Sequence, residues 1–336
     1  MPSTCAKINT PNAADESGDA TTISAVHPDV IQTHILTRLD GPALASVASA
    51  CSEFHALSAL DHLWANICHY TWPSTKAPRV SHIIATFPGA SHSFFSDSFP
   101  VALAAAHGSC TDGAAPELIS AVDLFHRQEL VLSRMVETET ESGWFRCSPF
   151  RVDLLEPKEA VPSVMKYPRS EEACDGLGEK LTLSWIVIDP KGKRAMNVSS
   201  GKPVSVRRHW LSGEVQMRFA SLIDGGEKGS ATEGVLCSMT VTCGGEMQVR
   251  EVCLHMEDMD GMQLNGRDSL KILQRALEGK RGKLKNEKAG RHRYGEFINR
   301  KEERKEKKVK AERRLDMFCV AFLVLSFAAL SVLFLF

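Results

Sequence analysis

Between His27 and His69 apolar residues recur at helical spacing with almost no polar filler. Pro28-Asp29 reads as a helix start, and Val30, Ile31, Ile35 and Leu39 follow it as one stripe. Gly41-Pro42 breaks that helix. Leu44, Val47, Ala48 and Cys51 make the next stripe, Phe54 and Leu57 continue it, and Leu60, Leu63, Trp64 and Ile67 close the set. A module of about forty residues buries too little apolar surface to be robust alone, so it must lean on a neighbour or a partner.

Further along, the period changes. Residues 70 to 120 alternate prolines with short apolar pieces and read as irregular chain with aromatic anchors. Residues 119 to 136 fit either a helix or a strand. From about Gly143 the signals turn to β. Trp144-Phe145, Phe150 to Val152, Leu181 to Ile188, Pro203 to Arg208, Val215 to Ile223, Gly234 to Thr242 and Met247 to Met256 are short patterned runs split by turn residues. The run from Leu181 is apolar on both faces and reads as a central strand. The runs from Val215 and Met247 alternate, as strands with one wet face do. Residues 265 to 278 read as a closing helix with Leu270, Leu273 and Leu277 as its stripe.

The last twenty residues, Met317 to Phe336, carry no charge, and thirteen of them are Leu, Val or Phe. As a helix they match a bilayer core of about 30 Å, and their insertion term is roughly 4 to 8 kcal/mol favourable. Charge strengthens that expectation. The chain has a net charge of -1, yet residues 280 to 314 hold 16 Lys or Arg against 6 Asp or Glu. This basic stretch ends on Arg313-Arg314, which are expected to flank the membrane on its cytosolic side and to meet anionic lipid. Glu303 with Lys307 and Glu306 with Lys310 have helical i,i+4 spacing, so a charged stalk helix is favoured over nucleic-acid binding. Residues 1 to 22 lack an apolar run and read as disordered, without a signal peptide.

The helical stretch of the N-terminal part resembles the F-box, the module that docks a protein onto the Skp adaptor of a cullin-RING ubiquitin ligase. Pro28, the Ile35-Leu36 pair, Leu39, Pro42, Leu44, Val47, Cys51, Phe54, Leu57 and Trp64 carry the resemblance, chiefly through the spacing from Leu39 to Cys51 and the closing Leu63-Trp64. It implies adaptor-binding roles for Pro28, Ile35, Leu36, Leu39, Pro42, Leu44, Val47, Cys51 and Trp64. The wording around Trp144, Trp185 and Trp210 is similar to that of plant F-box proteins with an N-terminal F-box and no leucine-rich or kelch repeats. There the resemblance implies a C-terminal domain that recruits the substrate, and partners that include cullin and RING proteins reached through the adaptor.

Chemistry of the chain's own is not indicated. No C-x-x-C, Walker loop, Gly-x-Gly-x-x-Gly or Gly-x-Ser-x-Gly occurs. Cys237, Cys243, Cys253 and His255 lack the spacing of a zinc ribbon or finger and read as small apolar fillers. No catalytic residues, metal or cofactor are expected.

The expected fold class is therefore α+β: a small N-terminal helical F-box module, a mainly antiparallel β domain, a basic stalk helix and a C-terminal transmembrane helix. The expected segments are a disordered N-terminus at 1–22, the F-box at 23–69, a mixed connecting region at 70–142, a β-rich substrate-binding domain at 143–279, the stalk at 280–316 and the tail anchor at 317–336. The expected function is that of a substrate receptor of a ubiquitin ligase at a membrane surface, by default the endoplasmic reticulum, with cytoplasm or nucleus as the alternative. Two other readings remain: a membrane-tethered scaffold without degradative role, and a lipid- or carbohydrate-binding β domain. A concave apolar or aromatic pocket near Trp185 or Trp210 would favour the last of these, and a flat polar surface would favour a protein substrate.

Overall fold

The computed structural model describes residues 26–99, 115–226, 229–279 and 287–335. The expected disordered N-terminus lies outside them. The chain divides into two compact units, one ending at Leu63 and one beginning at Trp64.

In the first unit α1 (Pro28–Val30) runs into a π turn (Ile31–Ile35) and a 3-10 turn (Leu36–Arg38), followed by α2 (Gly41–Ala48) and α3 (Ser52–Ser58). Polar caps set the starts. The Asp40 carboxylate accepts the Ala43 N–H at 2.9 Å, and the Cys51 thiol accepts the Phe54 N–H. Gly41-Pro42 opens α2, since proline is tolerated in the first turn.

α4 (Asp61–Thr71) crosses the boundary between the units. Beyond it the stretch expected to be irregular is helical: a 3-10 turn (Pro73–Lys76), α5 (Pro78–Ala85) and α6 (Ala90–Ser98). Phe94 and Phe95 are buried one helical face apart from the wet side, against Trp64, Trp72 and Phe87. An amphipathic α6 is what the aromatic anchors make.

Among the described residues nine strands follow: β1 (Glu117–His126), β2 (Glu129–Glu139), β3 (Arg151–Asp153), β4 (Leu181–Asp189), β5 (Arg194–Asn197), β6 (Ser205–Arg208), β7 (Val215–Asp224), β8 (Gly234–Cys243) and β9 (Val249–Glu257). They form a four-stranded sheet in the order β2-β1-β4-β5 and a five-stranded sheet in the order β3-β9-β8-β7-β6. Every pairing is antiparallel. The sheets begin at Glu117, well before Gly143, and β1 sits between β2 and β4, with Val122 opposite Arg134 on one side and Trp185 on the other. Trp144-Phe145, expected in a strand, lie in α7 (Gly143–Cys147), because the Ser142 hydroxyl accepts the Phe145 N–H and caps a helix.

Both sheets share one core. Leu118, Val122, Leu124 and Trp185 from the first meet Met217, Phe219, Met239 and Leu254 from the second. α8 (Glu171–Gly178) and α9 (Gly266–Glu278) add Leu177, Leu270, Leu273 and Leu277. Asn265 caps α9, and Gly266 is required there, since a Cβ would stand 2.2 Å from the Phe145 carbonyl oxygen. On its other face the four-stranded sheet carries polar ties to the preceding helices. Asp123 accepts from the Ser74 N–H at 2.9 Å, the Ser74 hydroxyl at 2.5 Å and the Ser133 hydroxyl at 2.6 Å. The Trp72 indole donates to the Ser184 hydroxyl at 3.2 Å, and Arg194 pairs with Asp97 at 2.9 Å.

The C-terminal part departs most from expectation. α10 (Glu287–Leu335) is one helix of 49 residues. Its first half is no free stalk: Phe297 is buried with Ala220, Leu236 and Met259 on the outer face of the five-stranded sheet, with Tyr294 and Ile298 beside it. Lys301 reaches Glu257 at 3.1 Å, while Arg304 and Lys308 reach Asp260 at 3.3 and 2.8 Å. These positions recur every three or four residues, so one helix face makes the whole contact.

Among the described residues no helix is long and apolar enough to cross a membrane. This overturns the expected transmembrane helix at 317–336. The hydrophobic tail as a family trait, the single-pass topology, the endoplasmic reticulum as its site, the lipid partner and the flanking role of Arg313 and Arg314 fall with it. The described apolar side chains, Met317 through Leu330, cover about 20 Å at 1.5 Å per residue, against about 30 Å for a bilayer core. The side chains of residues 329 and 331–336 lie outside the described residues. Within the described part Phe318, Phe322, Leu325 and Phe327 are exposed.

Candidate functional site

The N-terminal helices sort the expected adaptor-binding residues into two sets. Leu36 and Leu44 are buried, as are Ile31 and Leu63. Pro28, Ile35, Pro42 and Cys51 are exposed, while Leu39 and Val47 are half-buried. The π turn explains the split of the Ile35-Leu36 pair. The Leu36 N–H bonds back to the Ile31 carbonyl, five residues away. Ile31 and Leu36 therefore share the inner face, where a straight α-helix would have paired Ile31 with Ile35. Ile35, at 40% exposure, is left on the surface, and Val26 and Val30 are exposed as well. Spacing alone missed Val30 as a surface group, because its stripe reads as core, and Val26 lies outside that stripe.

Trp64 belongs to the second unit, fully buried against His92 and Phe95 with ring centroids 4.5 and 5.4 Å away. It is a structural anchor of that unit and offers no surface.

The β domain carries a second feature. Trp185 lies in the core, and its indole N–H donates to the Ser120 hydroxyl at 3.1 Å, so no ligand pocket opens at it. Trp210 is the opposite case, 88% exposed on the hairpin between β6 and β7. A groove of about 690 Å³ lies beneath that hairpin, lined by Tyr167, Glu171, Cys174, Asp175, Val206 to Trp210 and Gly213. Its walls are charged, unlike an apolar ligand pocket. The hairpin is tightly built. His209 N–H donates to the Glu214 carbonyl, Gly213 N–H to the His209 carbonyl, and the Tyr167 hydroxyl to the Gly213 carbonyl. Gly213 takes φ +70°, where a side chain would be strained.

The cysteines behave as fillers. Burial pushes the Cys237, Cys243 and Cys253 thiols up to about 12. Asp153, Glu251 and Cys253 converge within 4.8 Å, but Arg151 already supplies the cation, 2.7 Å from Asp153 and 2.8 Å from Glu251.

Comparison with known proteins accounts for the first unit. The F-box-like family model matches residues 28–70. The probable F-box protein At2g36090 of Arabidopsis thaliana is 47% identical over 314 residues, covering 92% of each chain. The chain belongs to the plant F-box protein family. Two further Arabidopsis thaliana F-box proteins, At2g27310 and At3g44326, are 42% and 43% identical, over 91% and 87% of this chain and 94% and 84% of their own. The F-box resemblance therefore extends through the β domain and not only through the helices. F-box proteins are non-catalytic subunits, and this chain is no enzyme. No solved structure matches it.

Proposed function

We propose that this F-box protein is the substrate-recognition subunit of an SCF-type ubiquitin ligase. In this reading the helices of residues 28–58 dock on the Skp adaptor, and the β domain holds a protein substrate. The observation that carries it is the match over residues 28–70 to the F-box-like family, on a unit that keeps Val26, Val30, Ile35 and Pro42 at its surface. A unit this small has little apolar material to spare, so apolar side chains left outside favour a covering partner. Cullin and RING proteins then join through the adaptor. The chain supplies proximity: it holds a substrate lysine near the ubiquitin thioester and raises its effective concentration.

The test is co-purification with the Skp adaptor. Ile35→Asp alters an exposed side chain and leaves the buried Ile31 and Leu36 in place. It is expected to abolish recovery of the adaptor, as is Leu39→Ala combined with Pro42→Ala, with thermal melting of the second unit unchanged. Recovery at wild-type level in both variants would refute the docking assignment.

A further inference from the structure

We infer that the groove along β6, with the Trp210 hairpin above it, is the substrate-docking site, and that it takes an extended peptide segment with an acidic residue next to an apolar one. This rests on the reading of the chain as a substrate receptor.

Three observations carry it. The first is the tryptophan. A side chain of that size at 88% exposure, next to Leu211 at 73%, is a large apolar surface left in water. Tryptophan is the residue most enriched where binding energy concentrates. The loop that carries it is already ordered. Besides the backbone bonds above, the Ser212 N–H donates to His209 Nδ1 at 3.1 Å and the Ser212 hydroxyl to Glu214 at 3.0 Å. A partner therefore meets a preformed hook and loses little entropy in fixing it.

The second observation is direction. Val206, Arg207 and Arg208 of β6 and then His209 and Trp210 of the hairpin line the groove, so it follows the chain from the end of β6 into the hairpin. β6 is the edge strand of its sheet. A trough along an edge strand suits an extended segment better than a helix or a compact small molecule.

The third is charge. Arg207 and Arg208 are exposed and have no ion-pair partner among the described residues. They stand at the Trp210 end and call for a carboxylate. Glu171 and Asp175, on α8, line the same groove and are also exposed, and with Arg208 they act on the buried Cys174 thiol. Those carboxylates repel a polyanion, so nucleic acid fits poorly. A single acidic side chain on Arg207 and Arg208, beside an apolar one on Trp210 and Leu211, matches the groove without the repulsion a polyanion would meet.

The experiment uses the full chain and an array of alanine-based decapeptides, in which one Leu and one adjacent Glu are moved through every position. A matched array carries Lys for Glu, and heparin serves as the polyanion. The wild-type chain should bind Leu-Glu peptides at least tenfold more tightly than their Leu-Lys counterparts. Trp210→Ala should lower that binding at least tenfold, and Arg207→Glu with Arg208→Glu should lower it as much while raising affinity for Leu-Lys peptides. All three positions are exposed, so melting temperatures should hold. Equal binding of both arrays, unchanged binding by the variants, or heparin bound more tightly than any peptide overturns the assignment. Recovery of the Skp adaptor is measured on the same preparations. Its loss refutes the ligase reading, whereas adaptor recovery without peptide selectivity refutes only the groove.

Discussion

Phe297 is the residue on which the docking of α10 turns. It is 4% exposed, and its ring lies 3.8 Å from where a Cβ on Gly234 would stand, over Ala220, Leu236 and Met259. Phe297→Ala removes the transfer term of one buried aromatic side chain, about 2 to 3 kcal/mol. The charged continuation of the same face counts for less. The pairs of Lys301, Arg304 and Lys308 with Glu257 and Asp260 sit at the domain surface, where each contributes about 0.2 to 1 kcal/mol. Loss of the ring should therefore raise the population of undocked helix roughly 30- to 140-fold. Trypsin cleaves after Lys301, Arg304 and Lys308 only when the helix leaves the sheet, and cleavage follows the open population when opening is fast. Limited proteolysis with mass spectrometry should thus show accelerated cuts at these three sites, while β8 and β9 stay protected. One molar salt should speed wild-type cleavage less than the variant does, because screening weakens the ion pairs in part and leaves the ring untouched. If Phe297→Ala is cut no faster than wild type, or if salt alone matches the variant, the aromatic contact does not hold the helix.

Two further outcomes follow from the second unit. Burial pushes the Asp123 carboxyl above its ordinary value of 3.8, against the opposing hydrogen bonds from Ser133 and Ser74. The unfolded chain therefore ionises first as pH rises from 3.8, and this group's contribution to stability falls until the folded value is passed. Asp123→Asn should flatten that part of the urea-midpoint profile, and an unchanged slope would discount the coupling. Separately, a fragment of residues 143–336 loses Leu118, Val122, Leu124 and Leu132 from the core, roughly 6 to 12 kcal/mol of burial, which rivals the 5 to 15 kcal/mol that holds a whole domain. It should show no cooperative urea transition, whereas residues 64–336 should, and a sharp transition in the shorter fragment would contradict the central place of β1.

Elements whose pattern matched their surroundings were legible in the sequence. The alternating and doubly apolar runs from Leu181, Val215, Gly234 and Met247 are strands, and the Leu270, Leu273, Leu277 stripe faces the core of a helix. β1 was not, because Glu117–His126 is covered on both faces, and a fully buried strand has no alternation to separate it from a helix. Trp144-Phe145 misled for a different reason: β-favouring side chains were overruled by one serine cap. In the N-terminal helices apolar spacing picked out the stretch that the F-box-like family model matches, but the π turn at Ile31–Ile35 leaves Ile35 exposed and out of line with the buried Ile31, with which spacing had grouped it. That turn has no sequence signature. α10 was read by its charge, and Tyr294 and Phe297 were weighed only as signs of nucleic-acid binding and not as a contact to the sheet. The Trp210 groove was legible only as two alternatives, since spacing cannot say whether a tryptophan is core or surface.

The polar ties on the outer face of the four-stranded sheet bear on where the F-box ends. Asp123, Ser184 and Arg194 lie on three different strands, β1, β4 and β5; the first two take Ser74 and Trp72 from the 3-10 turn and its cap, and the third takes Asp97 from α6. Apolar contact alone tolerates sliding by a fraction of a turn. A buried carboxylate that needs the Ser74 N–H and two hydroxyls does not, because displacement strips its donors and leaves the charge without compensation. The helices from Trp64 to Ser98 are therefore a registered layer of the β domain, and not a connector. Family resemblance places the F-box boundary near residue 70, inside that layer, since Trp64 and Cys68 are buried within it. Deleting the matched stretch as a whole would withdraw Trp64, a fully buried aromatic whose loss costs about 3 to 5 kcal/mol. A loss of substrate binding would then report damage to the β domain and not the absence of an adaptor. Deletion up to Leu63 removes α1 to α3 and keeps the aromatic anchor, so only that cut separates adaptor docking from substrate recognition.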